Sequence, residues 1–276
     1  MSNFWVRTLS GICFLAIMVC GLLFWPAAFA ALLLVIMYVS LREFLKLTMG
    51  GRYMFQQKLT LFCAALVLLL VEGYCFYGIG LRWLSLGVLA LLAIPVSFLI
   101  AGSIDDIDLM AFPLAGILYI CLPFVLGTLM VTGDGEFRGY ILLNIFIIIW
   151  CSDIGAYCIG TLFGQKPDSR KLAPKISPKK SWWGVWGGML LAVVAALVLY
   201  LVKWMPFGLV HSLVLGALIS VVGVCGDLFE SVWKRRAGVK DSGNCIPGHG
   251  GMLDRFDSSL FAIPAAFVYM AVFGLL

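Results

Sequence analysis

The chain is 276 residues long, 63% hydrophobic and only 12% charged, with a formal charge of +5, whereas an average soluble domain carries about 25% charged residues. With a mean hydropathy of +1.07, that balance excludes an ordinary soluble domain. It leaves an all-α, polytopic integral membrane protein with no expectation of a nucleic-acid partner. Nine cysteines contain no C-x-x-C pair, and eight of them lie in apolar runs, so they read as small buried hydrophobes and not as disulfides or a zinc site.

At roughly 20 apolar residues per crossing, the sequence predicts about nine spans, near 8–24, 26–41, 59–77, 83–102, 110–132, 139–163, 185–202, 208–229 and 258–275. Arg7, the following apolar run and Ala28-Phe29-Ala30 imitate a signal peptide. The run continues to Leu41 without polar relief, so the expectation is two retained helices with a turn at Pro26. No internal inverted repeat is apparent.

Charge placement orients these spans. Sixteen of the nineteen basic residues fall on one side, and only Arg82, Arg138 and Lys203 on the other. By the positive-inside rule the richer side is cytoplasmic. Two connections on it, 164–184 and 230–257, hold most of the polar chemistry, which divides the chain into N-terminal membrane helices (1–132) and a C-terminal membrane region that carries both connections (133–276).

Asp153 lies inside the sixth span, where a carboxylate costs about 2.5–3.5 kcal/mol and so needs a wet cavity or a partner. Glu72 falls near the outer end of the third span and is expected to reach the interface; Asp105, Asp106 and Asp108 read as a solvated loop cluster. In the sixth connection, Pro178 stiffens the chain before Lys179, Lys180 and Ser181, a donor-rich arrangement suited to phosphate; lipid-headgroup attraction is the plainer reading.

Asp227, Glu230, Ser231 and Lys234 follow at i, i+3, i+4 and i+7, one face of a helix. An ion pair between Glu230 and Lys234 accounts for two of them and leaves Asp227 unexplained. Beyond Lys240-Asp241 comes Pro247-Gly248-His249-Gly250-Gly251, then Asp254 and Asp257 three residues apart. Glycines permit close backbone approach to phosphate oxygens, and paired carboxylates suit Mg²⁺, one ion or two. His249 reads as a ligand, a proton carrier or a phosphate donor.

Ser231-x-x-Lys234-Arg235, Lys240-Asp241 and Pro247-x-His249-Gly250-Gly251-x-x-Asp254-Arg255-x-Asp257 together resemble the signature of phosphatidate cytidylyltransferases, also called CDP-diacylglycerol synthases. Trp150-x-x-Asp153-x-x-Ala156-Tyr157, Phe163-Gly164 and Ile176-Ser177-Pro178-Lys179-Lys180-Ser181 extend the resemblance over the C-terminal half. It implies an enzyme of the cytoplasmic membrane, with its site at the cytoplasmic face, that takes CTP and phosphatidic acid with Mg²⁺ and yields CDP-diacylglycerol and pyrophosphate. A homodimer is also among the assemblies it allows.

The resemblance makes Asp227, Asp254 and Lys180 catalytic, and Asp227, Asp254, Asp257 and Asp153 metal-binding. It assigns the triphosphate and headgroup to Lys179, Ser181, Ser231, Lys234, Arg235, Lys240, His249, Gly250 and Gly251. One position departs from it: where the pattern has an acid between Trp and Gly, this chain has Trp182-Trp183-Gly184. Three other readings stay open at this level. They are a CTP-dependent transferase acting on another lipid phosphate or a polyprenol, an ion-coupled transporter using Asp153 and Asp227, and a scaffold without turnover.

Overall fold

A computed structural model describes residues 3–101, 106–133, 135–166, 168–248 and 250–276. Asp105 and His249 lie outside the described residues. The chain is all-α apart from one small hairpin. Among the described residues, eight helices are long and apolar enough to cross a membrane, and Arg7–Leu23 is a shorter apolar helix, so a helix covers each of the nine expected spans. Two compact units divide the chain: 1–139 with 237–255, and 140–236 with 256–276.

In the first unit, α1 (Asn3–Leu23) and α2 (Pro26–Met49) are separated by Phe24 and Trp25, and Pro26 opens α2. Proline fits there because the first helical N–H has no intrahelical acceptor in any case. Gly50, at φ 62°, closes α2, and α3 (Met54–Tyr77) ends at Gly78, φ 67°. A 3₁₀ turn leads into α4 (Leu84–Ala101), followed by α5 (Asp108–Gly116), a π-helical turn (Ile117–Cys121) and α6 (Leu122–Met130). Pro113 and Pro123 flank that turn; each lacks an N–H to donate, which loosens the ladder around it.

Phe29, Leu33, Met37, Leu41, Phe44, Leu68 and Phe124 form the buried core of this unit. Phe29, Phe76 and Phe137 meet edge to face at centroid distances of 5.4–5.7 Å. Glu72 departs from its expected place at the interface: it is 1% exposed, and neither carboxylate oxygen has a hydrogen-bond partner among the described residues.

The second unit is built on glycine contacts. Between α7 (Tyr140–Leu162) and α8 (Trp182–Leu201), Gly155, Gly160, Gly184, Gly187 and Gly188 let the two backbones touch. A Cβ on Gly160 would meet the Gly184 Cα at 3.4 Å. Close approach of this kind supplies dispersion where lipid offers no hydrophobic drive. In α9 (Leu209–Arg236), Gly216 packs on Ala196 of α8, and Ser220 shares a 2.8 Å hydrogen bond with Ser152 of α7. The last helix, α10 (Leu253–Val272), packs Phe256 edge to face on Phe146 and contributes Tyr269, whose hydroxyl lies 2.9 Å from His211 Nδ1.

The connection between α7 and α8 folds as an antiparallel hairpin, β1 (Lys171–Ala173) with β2 (Ser177–Ser181). The expected connection at 230–257 is shorter than the sequence suggests, because α9 continues to Arg236. Its 28 residues extend about 42 Å at 1.5 Å each, against about 30 Å of hydrocarbon. The Glu230–Lys234 pair supports the extra turns, and the helix stops just before Gly238, φ 69°.

Candidate active site

The projecting end of α9 gathers the charged groups of the second unit. Asp227, Glu230, Ser231 and Lys234 share a face, as their spacing predicts. Glu230 is fully buried and forms an ion pair with Lys234. Asp227 Oδ2 is 2.5 Å from Lys180 Nζ, brought in by β2, and its Oδ1 is 3.5 Å from the Ser231 hydroxyl. Asp257 arrives from α10, where its Oδ1 accepts from the Ser258 N–H at 2.6 Å. Gly226 admits it, since the Asp257 backbone carbonyl lies directly against that glycine.

Carboxylate oxygens of Asp227, Glu230 and Asp257 all fall within 4.8 Å of one another. Oxygens on opposite sides of a single Mg²⁺ are about 4.2 Å apart, so small side-chain rotations suffice for all three to reach one ion. Hard oxygen donors suit a divalent cation of this kind, and Lys180 and Lys234 offset part of the acidic charge. The residues present therefore fit a divalent metal.

Asp153, on α7, is exposed, and its charge reaches Asp257, as do those of Asp227 and Lys234. Lys179 is exposed, its carbonyl accepting from Gln165 at 2.9 Å, and Arg235 Nε donates to the Ile176 carbonyl at 3.2 Å, tying α9 to the hairpin. Ser181 is buried and accepts from the Gly184 N–H at 3.2 Å as the N-cap of α8. Trp183, where the family pattern has an acid, is exposed and lies 5.7 Å from the Phe163 ring.

Lys240, Gly250, Gly251 and Asp254 belong to the first unit. Asp254 Oδ2 accepts from Ser242 N at 3.0 Å and Gly251 N at 2.9 Å, drawing the glycine-rich turn onto the first turn of α10. Gly250 adopts φ +90°, a conformation closed to most side chains.

Two residues of these clusters escape sequence reasoning. Glu230 reads there as half of an ion pair, because its nearness to Asp257 depends on how α9 and α10 pack. Glu43 of α2 accepts from Ser242 Oγ (3.0 Å), Met252 N (3.1 Å) and Leu253 N (2.8 Å). Its only sequence signal is an acid within a predominantly apolar helix.

The sequence profile of the cytidylyltransferase family matches residues 5–273. Among curated proteins, the phosphatidate cytidylyltransferase of Bacillus subtilis (strain 168) is 39% identical over 128 residues, 46% of each chain. That of Pseudomonas aeruginosa is 42% identical over 137 residues, 49% of each chain, and that of Synechocystis sp. 43% over 127 residues, 46% of this chain and 42% of its own. The chain spans about half the length of the curated relatives it matches. With its helical membrane architecture, its acidic group and a profile match over nearly its whole length, the chain belongs to the cytidylyltransferase family.

Proposed function

We propose that this protein transfers the cytidylyl group of CTP to phosphatidic acid, giving CDP-diacylglycerol and pyrophosphate. The observation that carries this reading is the group of Asp227, Glu230 and Asp257 with Lys180 on Asp227, in a chain of the cytidylyltransferase family. In the reaction, a phosphate oxygen of phosphatidic acid forms a bond to the α-phosphorus of CTP. The bond from that phosphorus to the bridging oxygen breaks, and pyrophosphate leaves with its electron pair.

Both reactants are anions, so the protein's task is to neutralise and align them. Lys180 carries three donors and can turn one toward a phosphate oxygen while another stays on Asp227. Lys234, held by Glu230, presents a second cation on the same helix face. Lys179, Arg235 and Lys240, all exposed, bind the triphosphate and headgroup with Ser181, Ser231, His249 and the backbone of Gly250 and Gly251.

Asp227, Glu230 and Asp257, with Asp153 in support, would hold Mg²⁺, one ion or two, and the family resemblance adds Asp254 to that role. When bound, the metal supplies charge neutralisation and a fixed orientation at the reacting phosphates. The catalytic region is 133–276, and a homodimer is compatible with it. The charge asymmetry supports a multi-pass protein of the cytoplasmic membrane with its site on the cytoplasmic side, where soluble CTP and embedded lipid meet.

The test is Mg²⁺-dependent pyrophosphate release from CTP by the purified protein in detergent, with and without phosphatidic acid, beside Asp227→Asn. Release that requires the lipid and collapses in the variant supports the reading. Activity with another lipid phosphate in place of phosphatidic acid would reassign the acceptor, and CTP binding without turnover on any acceptor would favour a scaffold.

A further inference from the structure

Two carboxylates gather the N–H groups of the chain entering α10: those of Ser242, Gly251 and Met252 in the loop and of Leu253, the first residue of the helix, whose N–H has no acceptor inside it. Asp254 takes Gly251 N and Ser242 N. Glu43 takes Met252 N, Leu253 N and the Ser242 hydroxyl. Ser242 therefore bridges the two acids, its N–H on Asp254 and its hydroxyl on Glu43. Glu43's partners lie 199 to 210 positions from it in sequence, and all these residues belong to the same compact unit.

The seat of Glu43 is closely fitted. A Cβ on Gly251 would lie 2.6 Å from Glu43 Oε2, and one on Gly243 would lie 2.8 Å from Glu43 Cδ. Both glycines keep space for the carboxylate, and neither has a positive φ to account for it. A second tether reaches the same loop from α1, where Ser10 Oγ donates to the Pro247 carbonyl at 3.0 Å.

We infer that Glu43 is a positioning residue for the reaction, holding the 242–253 loop so that Asp254 and the Gly250-Gly251 backbone stay in working geometry. The inference rests on the functional reading above. Glu43 acts through the loop, since its carboxylate oxygens are engaged by Ser242, Met252 and Leu253. A displacement near 1 Å can cost about 10²-fold in rate, so an anchor of this kind influences turnover more than nucleotide affinity.

The contact can be tested with Glu43→Ala, Glu43→Gln, Gly243→Ala and the double variant Glu43→Ala/Gly243→Ala. Two readouts are used: steady-state kinetics with CTP and phosphatidic acid, and site-resolved thiol labelling of Cys245, which is exposed within the loop. Glu43→Ala is expected to lower kcat about 10²-fold with KM for CTP within about threefold, and to accelerate Cys245 labelling about tenfold. Glu43→Gln keeps one acceptor oxygen but turns an NH₂ toward donors, so it falls between wild type and alanine.

Gly243→Ala is harmful when Glu43 is present and neutral in the Glu43→Ala background, because the added methyl then has room. That non-additivity is a mark a merely local folding defect does not leave. Unchanged Cys245 labelling in both Glu43 variants, additive effects of positions 43 and 243, or kcat within about threefold of wild type would overturn the inference. A wild type inactive on phosphatidic acid would instead overturn the functional reading, while Cys245 labelling alone still decides whether Glu43 holds the loop.

Discussion

Gly226 on α9 lies directly against the backbone carbonyl of Asp257 on α10: a Cβ at position 226 would meet the Asp257 carbonyl carbon at 3.3 Å and the Phe261 Cβ at 3.2 Å. The close approach brings Asp257 beside Asp227, the residue following the glycine. Neither helix can tolerate a methyl there without moving. Gly226→Ala should therefore cost about 1–3 kcal/mol by overpacking, seen as a lower Tm in detergent. Because the shift acts where the two acids proposed to hold metal meet, turnover at saturating CTP should fall further than Tm alone accounts for; near-wild-type kcat would show that the two acids need not stay in register.

The buried ion pair between Glu230 and Lys234 offers a separation of stability from chemistry. Removing one member of such a pair leaves an uncompensated charge, at a cost of about 3–5 kcal/mol. Glu230→Gln and Lys234→Met should each lower the unfolding midpoint by that order, and the double variant should recover most of it while staying inactive. Recovery of activity along with stability would remove both residues from the catalytic machinery.

Chelation tests the acidic group as a whole. Pyrophosphate release should stop in excess EDTA and return on addition of Mg²⁺. Asp227→Asn and Asp257→Asn should raise the Mg²⁺ concentration for half-activation by more than 100-fold, since even residues that only orient a metal's ligands are worth about 10–100-fold. An unchanged metal dependence in both variants would move the ion elsewhere.

Glu72 leads to a prediction of opposite sign. Its carboxylate is buried, and its oxygens have no hydrogen-bond partner among the described residues, so the group is desolvated without compensation. Glu72→Leu should stabilise the protein by about 1–3 kcal/mol, measured as a raised Tm. A fall in Tm would mean that the acid has a partner or a task.

Much of this was legible from residue order alone. The nine apolar stretches, the break before Pro26 and the common face of Asp227, Glu230, Ser231 and Lys234 follow from local periodicity and proline chemistry, and helices α1 to α10 reproduce them. What periodicity leaves out is contact between distant segments. Glu72 looked free to reach the interface because its neighbours in sequence do not reveal which way the helix faces. Glu43 was invisible as an anchor because its partners lie some 200 positions onward. Ser181 has a second role that a lysine-rich run does not announce: just before α8, its oxygen accepts a backbone N–H as the helix cap, leaving its own O–H free to donate.

The division of the acidic group between α9 and α10 bears on biogenesis. Helices α7, α8 and α9 are close in sequence and pack through small residues, so they can associate soon after they leave the ribosome. Asp227 and Glu230 are in place by then, but Asp257 is supplied only when α10 is made. A chain interrupted before α10 would hold a packed helical bundle and part of an acidic site, yet lack the third carboxylate. If the acidic group holds metal as proposed, that competence arises only once α10 has been made, so a chain still being inserted would lack it.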